Sequence, residues 1–301
     1  MVESPDLPLA PYRLENGIKC FELVAEPVLQ EVLPEIYMQG YGYNGSIPGP
    51  TIVVETGDWV RIRVVNRLPE ATSVHWHGLD VPNTMDGVPY IEPSPLIEPG
   101  YGMDYTFQII NPPGTHMYHS HYHTIRQEML GLGGLFIILG KQGQGQGQRH
   151  NQRDIAYMLQ EFHLSGLPKG ELRPGTYTID PLSDGFNFFT MNGRCFPNTS
   201  PVQVRLGDRV RIRLAVLGMQ GHPMHLHGVQ MLETAYDGNE VPPTRQLLRN
   251  TVFIAPGETR DVQFDAWNPG HWPFHCHIPH HTSNNFTLPI GGMFTTIQVA
   301  R

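Results

Sequence analysis

The sequence predicts an all-β protein of two related sandwich or barrel domains, and three observations support this. Apolar and polar residues alternate along TIVVETGDWVRIRVVN (51–66) and VQVRLGDRVRIRLAV (202–216), each interrupted by a Gly-Asp turn, as is typical of strands. Glycine (32) and proline (28) together make up 60 of the 301 residues, about a fifth against a usual ~12%, so many short strands joined by turns are expected. At about 150 residues per domain, the length suggests two domains.

Composition excludes several classes of protein. Hydrophobic residues make up 40% of the chain and charged residues 16%, which favours a packed core over disorder. The net charge is −8 and no long basic cluster occurs, so nucleic acid is not an expected partner. No apolar run approaches the ~18 residues of a membrane span, so no membrane partner is expected either. The start, MVESPDLPLAPYR, lacks the features of a signal peptide, which leaves open a cytosolic protein or a mature form with a starter methionine.

The second half of the chain repeats the first. Three motifs recur in the same order: Gly57-Asp58 as Gly207-Asp208, HWHG (75–78) as HLHG (225–228), and NPPGTHMYHSH (111–121) as NPGHWPFHCH (268–277). Near-constant spacing makes chance a poor explanation, so two β domains of one ancestry are expected.

The predicted domains are residues 1–140 and 154–301. Between them, KQGQGQGQRHNQR (141–153) alternates glycine and glutamine, a composition that cannot form a core and is typical of a flexible linker. The alternative is a long hairpin loop within one domain, which the repeat disfavours.

Histidine is the residue type that points to chemistry. Because residues i and i+2 of a strand face the same side, a His-x-His pair presents two imidazoles together. Eight histidines in four such pairs, two pairs per repeat, are hard to explain as packing: His75/His77, His119/His121, His225/His227 and His275/His277. Neutral imidazole binds copper, zinc, iron or nickel, so the pairs alone do not name the metal.

The second repeat indicates copper. His222 precedes one pair, Cys276 lies inside the other, and His281 follows five residues later. Two imidazoles, a thiolate and a weak axial thioether form a blue-copper electron-transfer site. Met293 is the axial candidate, and Phe286 is the alternative because it occupies the place that a shorter loop would use.

The first repeat lacks this site. Its equivalents of the three ligands are Thr72, Ser120 and Ile125, none of which builds a blue-copper centre. One mononuclear copper site is therefore expected, in the second domain only.

Together, HWHG (75–78), HSH (119–121), HPMHLHG (222–228) and HCHIPHH (275–281) resemble the four copper motifs of the multicopper oxidases. More narrowly, the chain resembles the two-domain small laccases with type 1 copper in domain 2, over roughly residues 40–301. The resemblance implies two cupredoxin-like Greek-key domains. It also implies coupling of one-electron oxidation of phenols, aromatic amines or metal ions at the type 1 copper to four-electron reduction of O2 to water at a trinuclear copper cluster.

The resemblance implies four coppers per chain, with these ligands: His222, Cys276, His281 and Met293 for type 1; His75 and His225 for type 2; His77, His119 and His277 for one type 3 ion; and His121, His227 and His275 for the other. Cys276 would connect the type 1 site to two cluster ligands through the backbone.

Acidic residues and the other cysteines receive separate interpretations. Asp86 stands where the family has an acid beside the cluster, so proton delivery is expected; a turn-forming Asp-Gly pair is the alternative. Glu161, Asp180 and Asp184 are interpreted as ordinary turn or surface acids. Cys20 and Cys195 are expected in different domains as buried free thiols.

Expected partners are a small-molecule electron donor and O2. The resemblance implies a homotrimer whose clusters lie between domain 1 of one chain and domain 2 of the next, and a periplasmic or extracellular location. The motifs do not specify the natural donor.

Three other functions are weaker. A copper nitrite reductase would carry its cysteine in the first domain, where Ser120 stands. A copper-sequestering or resistance protein would not need Cys276 between two cluster ligands. The third, a zinc-binding β sandwich, is weaker still because zinc does no redox chemistry and prefers closed four-ligand sites.

Overall fold

A computed structural model describes residues 1–141 and 152–301. The first part contains strands β1 (Val2–Glu3), β2 (Tyr12–Glu15), β3 (Ile18–Leu33), β4 (Ile36–Tyr43), β5 (Gly49–Glu55), β6 (Trp59–Asn66), β7 (His75–His77), β8 (Gly102–Gln108), β9 (Gly114–His119) and β10 (Gly133–Leu139). The second part contains β11 (Gln152–Phe162), β12 (Gly175–Thr178), β13 (Phe188–Met191), β14 (Val202–Arg205), β15 (Arg209–Val216), β16 (His222–Leu226), β17 (Met231–Tyr236), β18 (Asn239–Glu240), β19 (Leu247–Arg249), β20 (Thr251–Ile254), β21 (Thr259–Asp265), β22 (Gly270–Cys276) and β23 (Phe294–Ala300).

Helical structure is limited to short segments. The α-helix α1 spans Thr124–Gln127, and 3₁₀ turns span Asn83–Met85, Pro243–Arg245 and Pro279–Thr282. Within the described ranges, no helix is both long enough and apolar enough to cross a membrane. The predicted all-β class is confirmed.

Alternation along the sequence produces the strands. On β6, Val60, Ile62 and Val64 are buried while Trp59 and Arg63 are exposed, the period-two pattern of a half-buried strand. Equivalent turns connect β5 to β6 and β14 to β15, which are consecutive strands in different sheets.

Those two turns have the same hydrogen bond. The Asp58 carboxylate accepts from the backbone N–H of Glu55 and the Asp208 carboxylate from that of Arg205, each at 2.7 Å. The preceding Gly57 and Gly207 have φ of +91° and +86°, which an L side chain rarely adopts. The repeated Gly-Asp pair is thus a structural repeat.

Each domain is formed from two sheets. The first has a four-stranded sheet in the order β5-β10-β9-β7 and a six-stranded sheet in the order β12-β4-β3-β6-β8, with β2 beside β3. The second has a five-stranded sheet in the order β14-β23-β22-β16-β20 and an eight-stranded sheet in the order β1-β11-β15-β21-β17-β18, with β13 and β19 added. Because β5-β10-β9-β7 and β14-β23-β22-β16 are equivalent, the histidine pairs on β7 and β16 occupy equivalent places.

The two domains exchange strands across the predicted boundary between 1–140 and 154–301. Strand β1 pairs in parallel with β11 of the second domain, and β12 pairs in parallel with β4 of the first. Residues 142–151, most of the predicted linker, lie outside the described residues, whereas Gln152 and Arg153 begin β11.

Cys195 also crosses that boundary. It is fully buried in the apolar core of the first domain, and its N–H donates to the Val32 carbonyl at 3.0 Å. The expectation that it lies in the other domain from Cys20 is therefore wrong, because the segment after β13 packs on the first core. Both cysteines are free thiols, but Cys20 is only half-buried.

Candidate metal centres

Three donor atoms converge inside the second domain. Cys276 Sγ lies 3.3 Å from His281 Nδ1 and 3.8 Å from His222 Nδ1, and the two Nδ1 atoms are 3.2 Å apart. All three residues are buried. They come from β16, the end of β22 and the 3₁₀ turn Pro279–Thr282, so the tertiary fold assembles them. We call them the mononuclear site.

The chemistry of these donors fits copper. Burial raises the pKa of the Cys276 thiol to about 12 and lowers that of His281 to about 3, because apolar surroundings disfavour the charged forms. Both groups are therefore neutral until a cation replaces the thiol proton. Two imidazoles and a soft sulfur, with three donor atoms facing one point, are the trigonal set that copper prefers.

The two axial candidates occupy different environments. Met293 is fully buried in the same apolar cluster as Cys276, and its carbonyl accepts the Cys276 N–H at 3.0 Å. Phe286 is 38% exposed and stacks on His280, with ring centroids 6.1 Å apart. The fold thus brings the Met293 backbone beside Cys276 and leaves Phe286 in an outer layer.

Two aromatic rings pack against the imidazole of His281. Phe189 stacks on the imidazole with a centroid distance of 3.9 Å, and His280 meets it edge-on at 4.5 Å. Lys169 Nζ lies 4.2 Å from the centre of the Phe286 ring. A molecule approaching from solvent would meet His280 and Phe286 before His281.

The eight paired histidines form two sets. His75, His77, His119 and His121 have ring centroids 5.4–6.2 Å apart where they are in contact. His225, His227, His275 and His277 have corresponding distances of 4.7–5.8 Å. Within residues 1–141 and 152–301, no ring contact joins one set to the other.

Strand register explains each set. His75 pairs with His119 across β7 and β9, and His225 pairs with His275 across β16 and β22. Alternation on β16 buries His222 towards the core and turns His225 to the opposite side. Burial is the main cause that lowers the pKa of His119, to about 3, so this imidazole is neutral at ordinary pH, as metal ligation requires.

The set in the second domain is open to solvent. His227 and His277 are exposed, and a cleft of about 630 Å³ is lined by His225, His227, Leu248 and Trp267. Trp267 is 65% exposed and Leu248 63%. Metal ligands beside exposed large apolar side chains are typical of a surface that another surface covers.

Asp86 contacts the first set. Its Oδ1 lies 3.3 Å from His75 Nδ1, and its main-chain carbonyl oxygen lies 3.0 Å from the same nitrogen. The following Gly87 has φ of +85°, so the segment also forms the turn of the alternative interpretation.

In the first domain, hydrogen bonds take the place of a mononuclear site. The hydroxyls of Thr72 and Ser120 donate to Gln127 Oε1 at 2.8 and 2.6 Å. Ile125, the counterpart of His281 by its spacing in the repeat, is turned outwards on α1 and is 61% exposed, whereas Gln127 is buried beside the two hydroxyls. The side chains of Thr72, Ser120 and Gln127 thus form a buried hydrogen-bonded cluster at this place.

Sequence reasoning missed Glu161. Interpreted as an ordinary turn or surface acid, it is instead fully buried, and its Oε2 lies 3.2 Å from His222 Nε2. The available signal was the carboxylate within the apolar second part of β11, IAYMLQEF (155–162), where burial without a partner is costly. Phe189, the residue that stacks on His281, carried no such signal.

Comparisons with known proteins show the family. Two family models described as multicopper oxidase match residues 30–143 and 173–290. The multicopper oxidase mco of Staphylococcus aureus is 32% identical over 264 residues, which cover 85% of this chain and 55% of that protein. Laccase-1 of Cryptococcus neoformans var. grubii is 30% identical over 239 residues, covering 72% of this chain and 37% of that protein. The chain thus spans about half the length, or less, of these curated relatives.

A solved structure matches more completely. The blue copper oxidase from Nitrosomonas europaea superposes with a TM-score of 0.80 at 30% identity, over 92% of this chain and 85% of that chain. This confirms the predicted cupredoxin-like Greek-key fold. With both matched segments carrying the histidine motifs, the chain belongs to the multicopper oxidase family.

Proposed function

We propose that the chain is a laccase-like oxidase that couples one-electron oxidation of small donors to four-electron reduction of O2 to water. Copper held by these residues would supply the redox chemistry, gaining and losing single electrons. The observation that carries the proposal is the tripeptide His275-Cys276-His277. Cys276 points into the mononuclear site, while its neighbours belong to the second histidine set.

The strand geometry makes this tripeptide a connection. Successive side chains alternate between faces, so one residue serves the buried site and the residues on either side serve the histidine set. The Cys276 sulfur is joined to both imidazoles by a continuous covalent path through the backbone. A protein that only stores copper gains nothing from such a connection, and this favours the oxidase over a copper-sequestering protein.

We propose four coppers per chain. His222, Cys276, His281 and Met293 would hold type 1 copper, and His75 with His225 type 2. His77, His119 and His277 would hold one type 3 ion, and His121, His227 and His275 the other. Two sets of four imidazoles support the count, because together they supply the eight ligands that three further coppers would need.

The two separate sets also support a contact between chains, and the resemblance to the two-domain laccases implies that the assembly is a homotrimer. Each set is incomplete as a three-metal site, and the set in the second domain is exposed beside Trp267 and Leu248. A contact between domain 1 of one chain and domain 2 of the next would complete both sets and close into a ring. Metal binding would then couple to subunit association.

Asp86 is proposed to supply protons for oxygen reduction, and its contact with His75 supports this. Asp86→Asn should leave copper content and reduction of the blue site unchanged but slow reoxidation by O2. Stopped-flow reoxidation measures the step, and an unchanged rate would return Asp86 to the role of a turn residue.

Oxygen uptake tests the proposed reaction. With a phenol as donor, the copper-loaded protein should consume one O2 for every four donor electrons and show a blue absorption band. Cys276→Ser should lose both the band and the uptake. Cys20→Ser, which changes a half-buried thiol elsewhere, is the matched control and should keep both. Uptake that ends at hydrogen peroxide, or a blue protein without uptake, would contradict the proposal.

Phenols, aromatic amines and low-valent metal ions remain the proposed donor classes. Steady-state rates with one member of each class would rank them. The nitrite reductase alternative is weaker, because Ser120 stands in the hydrogen-bonded cluster where such an enzyme would have its cysteine. We also propose a periplasmic or extracellular location, which fractionation of the source cells would test.

A further inference from the structure

Glu161 is held in one position at the end of β11. Its side chain is fully buried. Oε1 accepts hydrogen bonds from the backbone N–H groups of Met219 and Gln220, the latter at 2.8 Å. Oε2 faces His222 Nε2 at 3.2 Å. All the polar contacts of this carboxylate are thus directed at the segment that leads into β16 and at the imidazole itself.

This arrangement bears on which ring nitrogen of His222 carries the proton. An ionised carboxylate accepts hydrogen bonds only, so an imidazole that is hydrogen-bonded to it donates through Nε2–H. Its Nδ1 then keeps a free lone pair, and that atom faces Cys276 Sγ and His281 Nδ1. The ring is therefore held in the tautomer that metal ligation through Nδ1 requires.

The neighbouring strand holds the other imidazole. Glu161 pairs with Phe189 across β11 and β13, and Phe189 stacks on His281 at 3.9 Å. One pair of cross-strand residues thus contacts both imidazoles of the mononuclear site.

Gly218 makes room for the carboxylate. A Cβ at this position would collide with both carboxylate oxygens of Glu161. The absent side chain therefore allows the turn at 218–220 to close around the acid.

We propose that Glu161 is a positioning residue of the mononuclear copper site, which sets the tautomer and orientation of His222. The inference rests on the proposed copper site but not on oxygen reduction. Loss of such outer hydrogen bonds at metal-binding histidines weakens metal binding by about 10- to 100-fold.

Glu161→Gln tests the tautomer directly. Because two backbone N–H groups require an acceptor, the amide oxygen will face Met219 and Gln220 and the NH2 group will face His222. The imidazole must then accept at Nε2 and carry its proton on Nδ1. ¹⁵N NMR of the histidine-labelled, copper-free protein should show this change for His222, and copper titration should show at least a ~10-fold weaker blue site.

Two further variants separate the explanations. Glu233→Gln neutralises another buried glutamate, which pairs with Arg249 and Arg260, and should leave the His222 tautomer and the blue site unchanged. Gly218→Ala displaces the Glu161 carboxylate without changing its charge and should weaken copper binding as Glu161→Gln does, with the fold retained by circular dichroism.

The outcomes distinguish this inference from the proposed function. A wild-type protein that binds copper without a blue band would overturn the copper site and the inference together. A blue wild type with the same tautomer and copper affinity in Glu161→Gln and Gly218→Ala would overturn the role of Glu161 alone. If Glu161→Gln does not fold, Gly218→Ala decides the question.

Discussion

At the scale of single residues, the axial position of the mononuclear site has two candidates, the buried Met293 and the partly exposed Phe286. Met293→Leu should raise the reduction potential, because removing a weak sulfur donor disfavours copper(II) relative to copper(I). The two side chains have similar volumes, so the free energy of unfolding should change by less than about 1.5 kcal/mol. Spectroelectrochemical titration measures the potential.

Phe286→Leu is the comparison. Phe286 lies outside the buried cluster that contains Met293 and Cys276, so its substitution should hardly move the potential. A shift produced by Phe286→Leu and not by Met293→Leu would mean that the axial assignment is wrong.

His116 makes the stability of the apoprotein depend on pH. The ring is buried between Gly78 and Gly238, and burial is the main cause that lowers its pKa from 6.5 to about 4. The unfolded chain therefore binds a proton at higher pH than the folded chain does. Above about pH 6.5 the ring is neutral in both states and does not reduce the free energy of unfolding. As the pH drops towards 4, protonation of the unfolded chain lowers the free energy of unfolding by at most about 3 kcal/mol.

His116→Phe should remove this part of the pH dependence. Urea unfolding of the copper-free wild type and variant at pH 7 and pH 4.5 would measure it, with exposed His271→Phe as the control. Equal losses of stability in the wild type and His116→Phe would show that other groups cause the acid sensitivity.

At the scale of elements, β15 joins the two domains through one buried ion cluster. Arg213 is 2% exposed, and its Nε lies 2.6 Å from Asp154 Oδ1 on β11. Its Nη1 lies 3.2 Å from Asp261 Oδ2 on β21 and donates to Thr115 Oγ1 on β9 at 2.9 Å. Three strands of the second domain and one of the first thus share a single guanidinium.

Arg213→Met should destabilise the protein by about 3–5 kcal/mol, because it leaves the buried Asp261 and the partly buried Asp154 without their cation. Arg209→Met on the same strand removes a half-exposed pair with Asp265 and should cost less than about 1 kcal/mol. Chemical denaturation measures both. Similar costs for the two variants would show that the buried cluster contributes no more than a surface pair.

The two exchanged strands, β1 and β12, are short elements whose sheet is decided by the tertiary structure. β1 has two residues and β12 has four, too short to show which sheet they join from their own pattern. Pairing with β11 and β4 is decided by where the chain passes after its longer strands have packed.

At the scale of the whole molecule, the two histidine sets predict complementation between chains. His75→Ala/His77→Ala and His225→Ala/His227→Ala should each be inactive alone. If the clusters form between chains, dissociating and reassembling a 1:1 mixture with copper should restore about a quarter of the wild-type activity, since that fraction of interfaces joins an intact first domain to an intact second domain.

Oxygen uptake and the measured mass of the reassembled protein provide the readout, and each variant reassembled with itself is the control. Mixed oligomers without activity would show that the cluster forms within one chain, and the trimer proposal would then be wrong.

The sequence by itself determined the fold class and the donor set. Strand alternation, the repeated Gly-Asp turns and His-x-His spacing are local, so backbone geometry alone places paired imidazoles on one face. The covalent adjacency of His275, Cys276 and His277 is likewise a property of the chain.

Only the tertiary structure decided which residues surround those donors. Glu161 and His222 are 61 positions apart, and Gln127 and Thr72 are 55 apart. Cys195 joins the core of the first domain although the repeat places it in the second. Such contacts depend on how sheets pack and which short strands they exchange, and no local pattern records that. The contact between Glu161 and His222 therefore could not be predicted from the sequence, because only the packing of β11 against β16 brings the carboxylate to the imidazole.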